Sequence, residues 1–248
     1  NLESMYNPLS YSQSTRASSV SLSHTFPSIG LTISGSANIT QNMRDSSLAV
    51  TLPDVSISLQ RMYPFRRKRQ VGKAQWYEKI SFSYTCQLSN SITTKENLLF
   101  KSNLIKDWKN AMQHSIPVSA TFQLFKYINI SPSFNYKERW YTSKIEQAYD
   151  PQKQTLVARD TTYGFYRIYD FNGSISASTT LYGFFKPLPF LGKKVEMIRH
   201  RMEPSVTVSA APDFGSARFG YYQTYVYQDA NGVDHEYTYS PFSHNMYG

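Results

Sequence analysis

The stretch Ile80-Ser-Phe-Ser-Tyr-Thr-Cys-Gln-Leu-Ser89 alternates without a break. Ile80, Phe82, Tyr84, Cys86 and Leu88 are apolar, while Ser81, Ser83, Thr85, Gln87 and Ser89 are polar and uncharged. Successive side chains of a strand point to opposite faces, so this spacing predicts a β-strand with one apolar and one small polar face. The same pattern recurs in 31–40, 115–124, 128–136, 174–185 and 204–211. One segment changes phase: Leu48, Val50 and Leu52 are followed by Val55, Ile57 and Leu59, with Pro53-Asp54 between them. A β-bulge at Pro53-Asp54 explains the shift, because one extra residue reverses the parity and a ladder bond is already missing there.

Helical periodicity is nearly absent, and the longest unbroken apolar run is three residues, such as Leu98–Phe100. A membrane-spanning helix needs about 20, which excludes that class. Tyr, Phe and Trp number 38 in 248 residues, too much aromatic surface for a disordered chain. The single cysteine, Cys86, excludes an internal disulfide framework and a thiolate metal cluster. Neither end reads as a natural terminus, and we take the chain as an internal piece of a longer protein.

Charge decides between a soluble sandwich and a membrane wall. The strand segments 31–40, 46–52, 55–60, 80–89, 115–124, 128–136, 174–185 and 204–211 contain no Asp, Glu, Lys or Arg. Soluble sheets place charge on their wet face and at their edges. A face of Ser, Thr, Asn and Gln suits the water-filled lumen of a membrane barrel. Aromatics gather near the strand ends, at Trp76-Tyr77, Phe125 and Tyr127, Trp140-Tyr141, and Tyr182 with Phe184-Phe185, as in the girdles of such barrels. The expectation is therefore an all-β fold: an antiparallel transmembrane β-barrel segment of about eight strands, one domain over 1–248. Short links are expected at Thr25–Gly30, Phe125–Tyr127 and Lys186–Lys194, and long ones at 90–114, 142–162 and after Pro212. By the rule of short periplasmic turns, the short links and 61–75 face the periplasm. Asn172-Gly173 is an alternative hairpin turn, which leaves the strand count near 160–175 open.

Three segments carry a family resemblance. They are Leu52-Pro-Asp-Val-Ser-Ile-Ser-Leu-Gln-Arg-Met-Tyr-Pro-Phe65, Ser178-Thr-Thr-Leu-Tyr-Gly-Phe184 and the stretch from Ile198-Arg-His-Arg-Met-Glu-Pro-Ser to Pro212-Asp-Phe214. Together they resemble the lipopolysaccharide-assembly outer-membrane proteins of the LptD (OstA-type) family, in the form found in the Bacteroidetes. The resemblance implies a barrel in the outer membrane of a Gram-negative cell, without enzymatic activity. It further implies passage of lipopolysaccharide through the lumen and laterally into the outer leaflet. A plug lipoprotein, periplasmic bridge proteins and membrane lipid would be its partners. The rival readings are a soluble β-sandwich from a surface or glycan-binding protein and another outer-membrane porin or transporter.

Two clusters are candidate contacts. Arg66-Arg67-Lys68-Arg69 is the densest charge run and is expected at the periplasmic rim, against lipid phosphates or anionic headgroups, or simply as a solvated turn. Arg199-His200-Arg201 with Glu203 opens a strand and is expected as an interfacial or lumen cluster. The five histidines show no metal spacing, and no nucleotide or nucleophile-elbow motif is present, so neither metal nor cofactor is expected. Asp229–Asp234 reads as a loop-tip hairpin, with Asn231-Gly232 as its turn. Trp140-Tyr141 beside Lys137, Arg139 and Lys144 is the one aromatic-basic interleaving, and no nucleic-acid partner is expected from it.

Overall fold

The alternation in the sequence becomes two continuous faces because neighbouring strands of the main sheet pair antiparallel and in register. The computed structural model describes residues 15–69, 72–150, 155–186, 197–228 and 232–247. Its strands are β1 (Thr15–Phe26), β2 (Leu31–Asn42), β3 (Ser47–Met62), β4 (Ser81–Lys95), β5 (Lys109–Ser119), β6 (Phe122–Leu124) and β7 (Ile128–Asp150). They continue with β8 (Thr155–Thr179), β9 (Leu181–Phe185), β10 (Ile198–Met202), β11 (Ser205–Ala210), β12 (Gln223–Gln228) and β13 (Asp234–Tyr239). The main sheet runs β1-β2-β3-β4-β5-β7-β8-β11, with β6 added to β7. It is open, with β1 and β11 as edges among the described strands.

Directly opposed residues share a face. Ser119, Ser133, Ser174 and Ser209 are successive partners across four strands, as are Thr25, Thr32, Ser58, Thr85 and Ser115 across five. Hydroxyls on this face bond each other, Ser133 to Ser174 at 2.6 Å and Thr207 to Ser176 at 3.0 Å. The other face is apolar and open: Leu22, Ile33, Ile39, Phe134, Ile175, Val206 and Val208 are all exposed. No described helix is long and apolar enough to cross a membrane.

The bulge lies at Pro53. Between Thr51 and Asp54 strand β3 advances three residues while β2 advances from Ser36 to Asn38 and β4 from Ser89 to Ser91. One residue is thus extra against both neighbours. It returns Leu48 and Val50 to the same face as Val55, Ile57 and Leu59.

Several links differ from the expectation. Asn172-Gly173 is not a turn: both residues lie inside β8, opposite Asn135 and Phe134. The 142–162 loop is shorter than expected, because its described residues 142–150 and 155–162 extend β7 and β8 into strands of 23 and 25 residues. At about 3.4 Å per residue these arms far exceed the roughly 30 Å of a bilayer core. Only the uncharged part of β7, 128–136, has the nine to eleven residues or so that a span requires. Trp140 and Tyr141 therefore mark a level within β7 where charges begin, rather than a strand end. The 90–114 link shrinks to 96–108, including a 3-10 turn over Glu96–Lys101, and β1 is a strand that the sequence reading did not include. The 115–124 segment breaks at Ala120-Thr121 into β5 and β6, and the 174–185 segment breaks at Thr180 into β8 and β9. The break at Thr180 sits opposite Glu203-Pro204, where the pairing resumes in the same register as β9 with β10. Residues 187–196 and 229–231, with the Lys186–Lys194 link and the turn at Asn231, lie outside the described residues.

The segment after Pro212 is more than a loop. It forms the β12–β13 hairpin, and then Ser240–Tyr247 lies back on the polar face of β5, β7 and β8. Phe242 stacks on Tyr141 at 5.2 Å between ring centres and is buried with Ala111 and Ile168. The Tyr141 hydroxyl and the Arg139 guanidinium donate to the Tyr247 carbonyl, and the Ile145 amide donates to the Pro241 carbonyl at 2.8 Å.

Candidate functional site: a basic rim

An antiparallel meander sends alternate links to opposite ends. Among the described residues, 27–30, 61–69, 72–80, 120–127, 180–186 and 197–204 fall at one end, and 43–46, 96–108 and the far ends of β7 and β8 at the other. The 61–75 segment is thus at the same end as the Thr25–Gly30 and Phe125–Tyr127 links. Among the described residues, 61–80, 120–127, 180–186 and 197–204 carry eleven Lys and Arg against two acids, Glu78 and Glu203. The described residues of 43–46, 95–109, 137–170 and 211–247 carry eleven of each sign. Among the described residues the excess positive charge is therefore gathered at one rim, where low screening within a Debye length favours anionic surfaces.

The four residues of the charge run do different things. Arg67 is held by Glu78, its Nε at 2.5 Å from Oε1 and its Nη2 at 3.0 Å from Oε2. The Arg67 amide also donates to Oε1, and the Gln75 amide donates to Oε2 at 2.7 Å. These bonds tie Arg67 to Gln75 and Glu78 and so close the link, with Glu78 in the 3-10 turn Trp76–Lys79. Glu78 is only 4% exposed. The Arg67 guanidinium, then the Gln75 amide, hold the Glu78 carboxyl down at about 2. Arg66 instead lines a cavity of about 310 Å3 with Arg61, Lys79, Ser81, Ser119 and Thr121. Lys68 and Arg69 are exposed in the bend that follows.

A lowered folded pKa means that the Glu78 contribution is fully present above the usual carboxylate value of 4.5 and is lost as pH falls through about 2. The link is therefore expected to keep its closed form at pH 4 and to open toward pH 2. Glu78→Gln reproduces the open form at neutral pH. Tryptic cleavage at Arg66–Arg69 is expected to rise several-fold in that variant, and an unchanged cleavage rate would show that the pair does not hold the link.

The second cluster lies on the exposed β9–β10 hairpin. Arg199 stands over the Tyr182 ring at 4.5 Å, and Arg201 pairs with Glu203. Arg199 and Arg201 oppose Phe184 and Tyr182 on one face, while His200 opposes Gly183 on the other. His200 therefore stands apart from the two arginines, and the cluster is not one site. The aromatic-basic interleaving at Trp140 is also divided. Trp140 donates to Glu138 at 2.5 Å on the apolar face, where Glu138 is saturated by Tyr136 and Arg167. Arg139 pairs with Asp170 at 2.5 Å on the polar face. Among the described residues no group of His, Cys, Asp and Glu is arranged to hold a metal ion.

Arg61 and Lys79 were not candidates in the sequence, because eighteen residues separate them. The signal was available in the pairing: the end of β3 and the start of β4 form one hairpin, which brings its two flanks together. No curated protein and no solved structure matches the chain. A family model described as LptD protein matches residues 1–248. A two-faced antiparallel sheet, with exposed apolar residues on one face and Ser and Thr on the other, agrees with that match. On the full extent of the match, the chain belongs to the LptD family, outer-membrane β-barrel proteins of lipopolysaccharide transport and assembly.

Proposed function

We propose that residues 1–248 form part of the wall of one outer-membrane barrel, without an internal domain boundary. This wall passes lipopolysaccharide along a polar lumen and releases it laterally into the outer leaflet. The observation that carries the reading is the pair of uninterrupted faces across eight strands. The hydroxyl face, in which Asp54 between Ser36 and Ser89 is a charge in mid-sheet, offers hydrogen bonds to sugars, and the apolar face is matched to hydrocarbon. In this reading the basic rim faces the periplasm, where Arg66, Lys68 and Arg69, with Arg199 and Arg201 on the neighbouring hairpin, meet anionic headgroups. Arg67 serves the link itself. A plug lipoprotein would contact the polar face, and periplasmic bridge proteins would deliver the lipid at the rim. The chemistry is binding and transfer, with no bond made or broken.

Depletion of the full-length protein in its native cell, scored by surface lipopolysaccharide, tests the reading. Surface levels are expected to fall while lipopolysaccharide accumulates inside, and normal surface levels would remove it. Partition of the purified protein into membranes, with heat-modifiable mobility, separates the barrel from a sandwich that stays dissolved in buffer.

A further inference from the structure

The rows of the polar face are not equally open. The row Ser81, Ser119, Ser133, Ser174 and Ser209 lies beside the basic rim. The row Ser89, Ala111, Tyr141 and Tyr166 lies further along the strands, about 27 Å away at ~3.4 Å per residue of β4. That distance is close to the roughly 30 Å of a hydrocarbon core. Ser240–Tyr247 makes its contacts at this second row and its neighbours. Phe242 packs on Tyr141 and Tyr166, the Ser91 hydroxyl donates to Met246 Sδ at 3.5 Å, and the Tyr247 hydroxyl lies in hydrogen-bond reach of Ser89. The segment therefore crosses the polar face from β8 to β4, at the end away from the basic rim.

One end of it is a hinge. The Ile145 amide donates to the Pro241 carbonyl and the Gln147 amide to the Tyr239 hydroxyl at 3.0 Å, which ties residues 239–241 to the edge of β7 beyond its pairing with β5. Two turn bonds, the Ser243 amide to the Ser240 carbonyl and the Asn245 amide to the Phe242 carbonyl, keep the rest folded on itself, so that it moves as one piece. The far end is held against opposing costs. Tyr247, whose carbonyl accepts from Arg139 and Tyr141, stands at φ 63°, a left-handed conformation disfavoured for a residue with a Cβ. Closure also buries Arg139 Nε with no hydrogen-bond partner among the described residues, a donor that water satisfies once the segment lifts. Beneath it a cavity of about 130 Å3 remains between Arg139, Asp170, Tyr221 and Phe242. An unmet donor, a strained residue and a void, set against one buried aromatic ring, describe a docked state close to balance.

We infer that Ser240–Tyr247 is a strap that closes the outer mouth of the polar channel and swings on residues 239–241 to open it. Phe242 on Tyr141, and Arg139 on the Tyr247 carbonyl, are its latch. The inference rests on the barrel reading and adds a barrier to it: the chain shuts its own path to small polar solutes, and passage requires the strap to lift.

Full-length protein with its co-purifying partners, in planar phosphatidylcholine bilayers, tests this through potassium chloride conductance. The unaltered protein is expected to stay closed with brief openings. Phe242→Ala is expected to raise the open fraction at least about tenfold. Ser143 Oγ and Asn245 Oδ1 lie 3.3 Å apart, so the pair Ser143→Cys and Asn245→Cys can be joined across the closed strap. Oxidation of that pair, read by loss of thiol labelling, is expected to abolish the openings, and dithiothreitol to restore them. An open fraction in Phe242→Ala equal to that of the unaltered protein, or openings that persist through the oxidised pair, overturns the strap as the barrier. Heat-modifiable mobility reports folding; where Phe242→Ala fails it, Phe242→Leu, which loses the ring stack but keeps much of the bulk, takes its place. Protein that does not insert at all removes the barrel reading, whereas inserted protein with equal open fractions removes only the strap.

Discussion

Arginine in place of Leu22 is expected to lower the unfolding free energy in phospholipid vesicles by about 2–4 kcal/mol, whereas arginine at the adjacent Ser21 costs less than about 1 kcal/mol. The two positions are neighbours in the middle of β1 and differ in the face they occupy. Leu22 opposes Gly35 and is 80% exposed, on the same face as Ile33 and Ile57. In a bilayer that exposure is to hydrocarbon, where a guanidinium loses its hydration. Ser21 opposes Ser36 on the hydroxyl face, where water remains available. Urea unfolding of the two variants reads the difference. On a dissolved sheet both positions would be ordinary surface, with changes within about 0.5 kcal/mol. Equal small costs would therefore sink the membrane assignment, and a larger cost at Ser21 would reverse the two faces.

The second large effect concerns the tail. Phe242 is 7% exposed, stacked on Tyr141 and tilted against Tyr166 at 5.7 Å. Phe242→Ala removes the one buried aromatic side chain of Ser240–Tyr247 from the polar face, and such truncations cost roughly 3–5 kcal/mol in a packed interior. The loss falls on docking of the tail, because the strand ladders beneath do not depend on it. A weakening of about 3 kcal/mol corresponds to roughly a hundredfold. Hydrogen exchange at the Ile145 amide, bonded to the Pro241 carbonyl, is expected to accelerate by about that factor, while amides of β4 keep their protection. Unchanged exchange at Ile145 would mean that polar contacts such as Asn245 Nδ2 to the Ser143 carbonyl, 2.8 Å, hold the tail without the ring.

The rim shows where local reading stops. Arg66-Arg67-Lys68-Arg69 is visible as a run, and its place at a strand link follows from the alternation on either side. Which arginine is consumed is not visible. Glu78 lies eleven residues from Arg67, in a 3-10 turn of four residues with no periodicity to announce it. Arg61 and Lys79 look like isolated surface cations until the β3–β4 hairpin closes. Gly173 is less legible still. It follows Asn172, and that pair has the form of a hairpin turn. The long ladder of β7 on β8 overrides that local preference, and both residues stay within the strand.

What the chain settles by itself is the two-faced sheet. Period-two alternation is a local property, and the absence of charge from the strands is a property of composition. The alternation survives in the structure because each strand must satisfy its own faces whatever its neighbours are. The strands themselves take in charges that lay outside the uncharged segments, Asp54 in β3 and Lys137 to Asp170 along the β7–β8 arms. The parity change at Pro53 belongs here too, since a single extra residue can only be a bulge if both halves share a face. The tertiary structure alone decided the length of the β7–β8 arms, the return of the tail over the polar face and the division of labour within the basic run. Each of these depends on a partner far away in sequence: the β7–β8 register, the stack of Phe242 on Tyr141 and the pairing of Arg67 with Glu78. Pairing energies of that kind are set by which surfaces meet, and no window of sequence contains both.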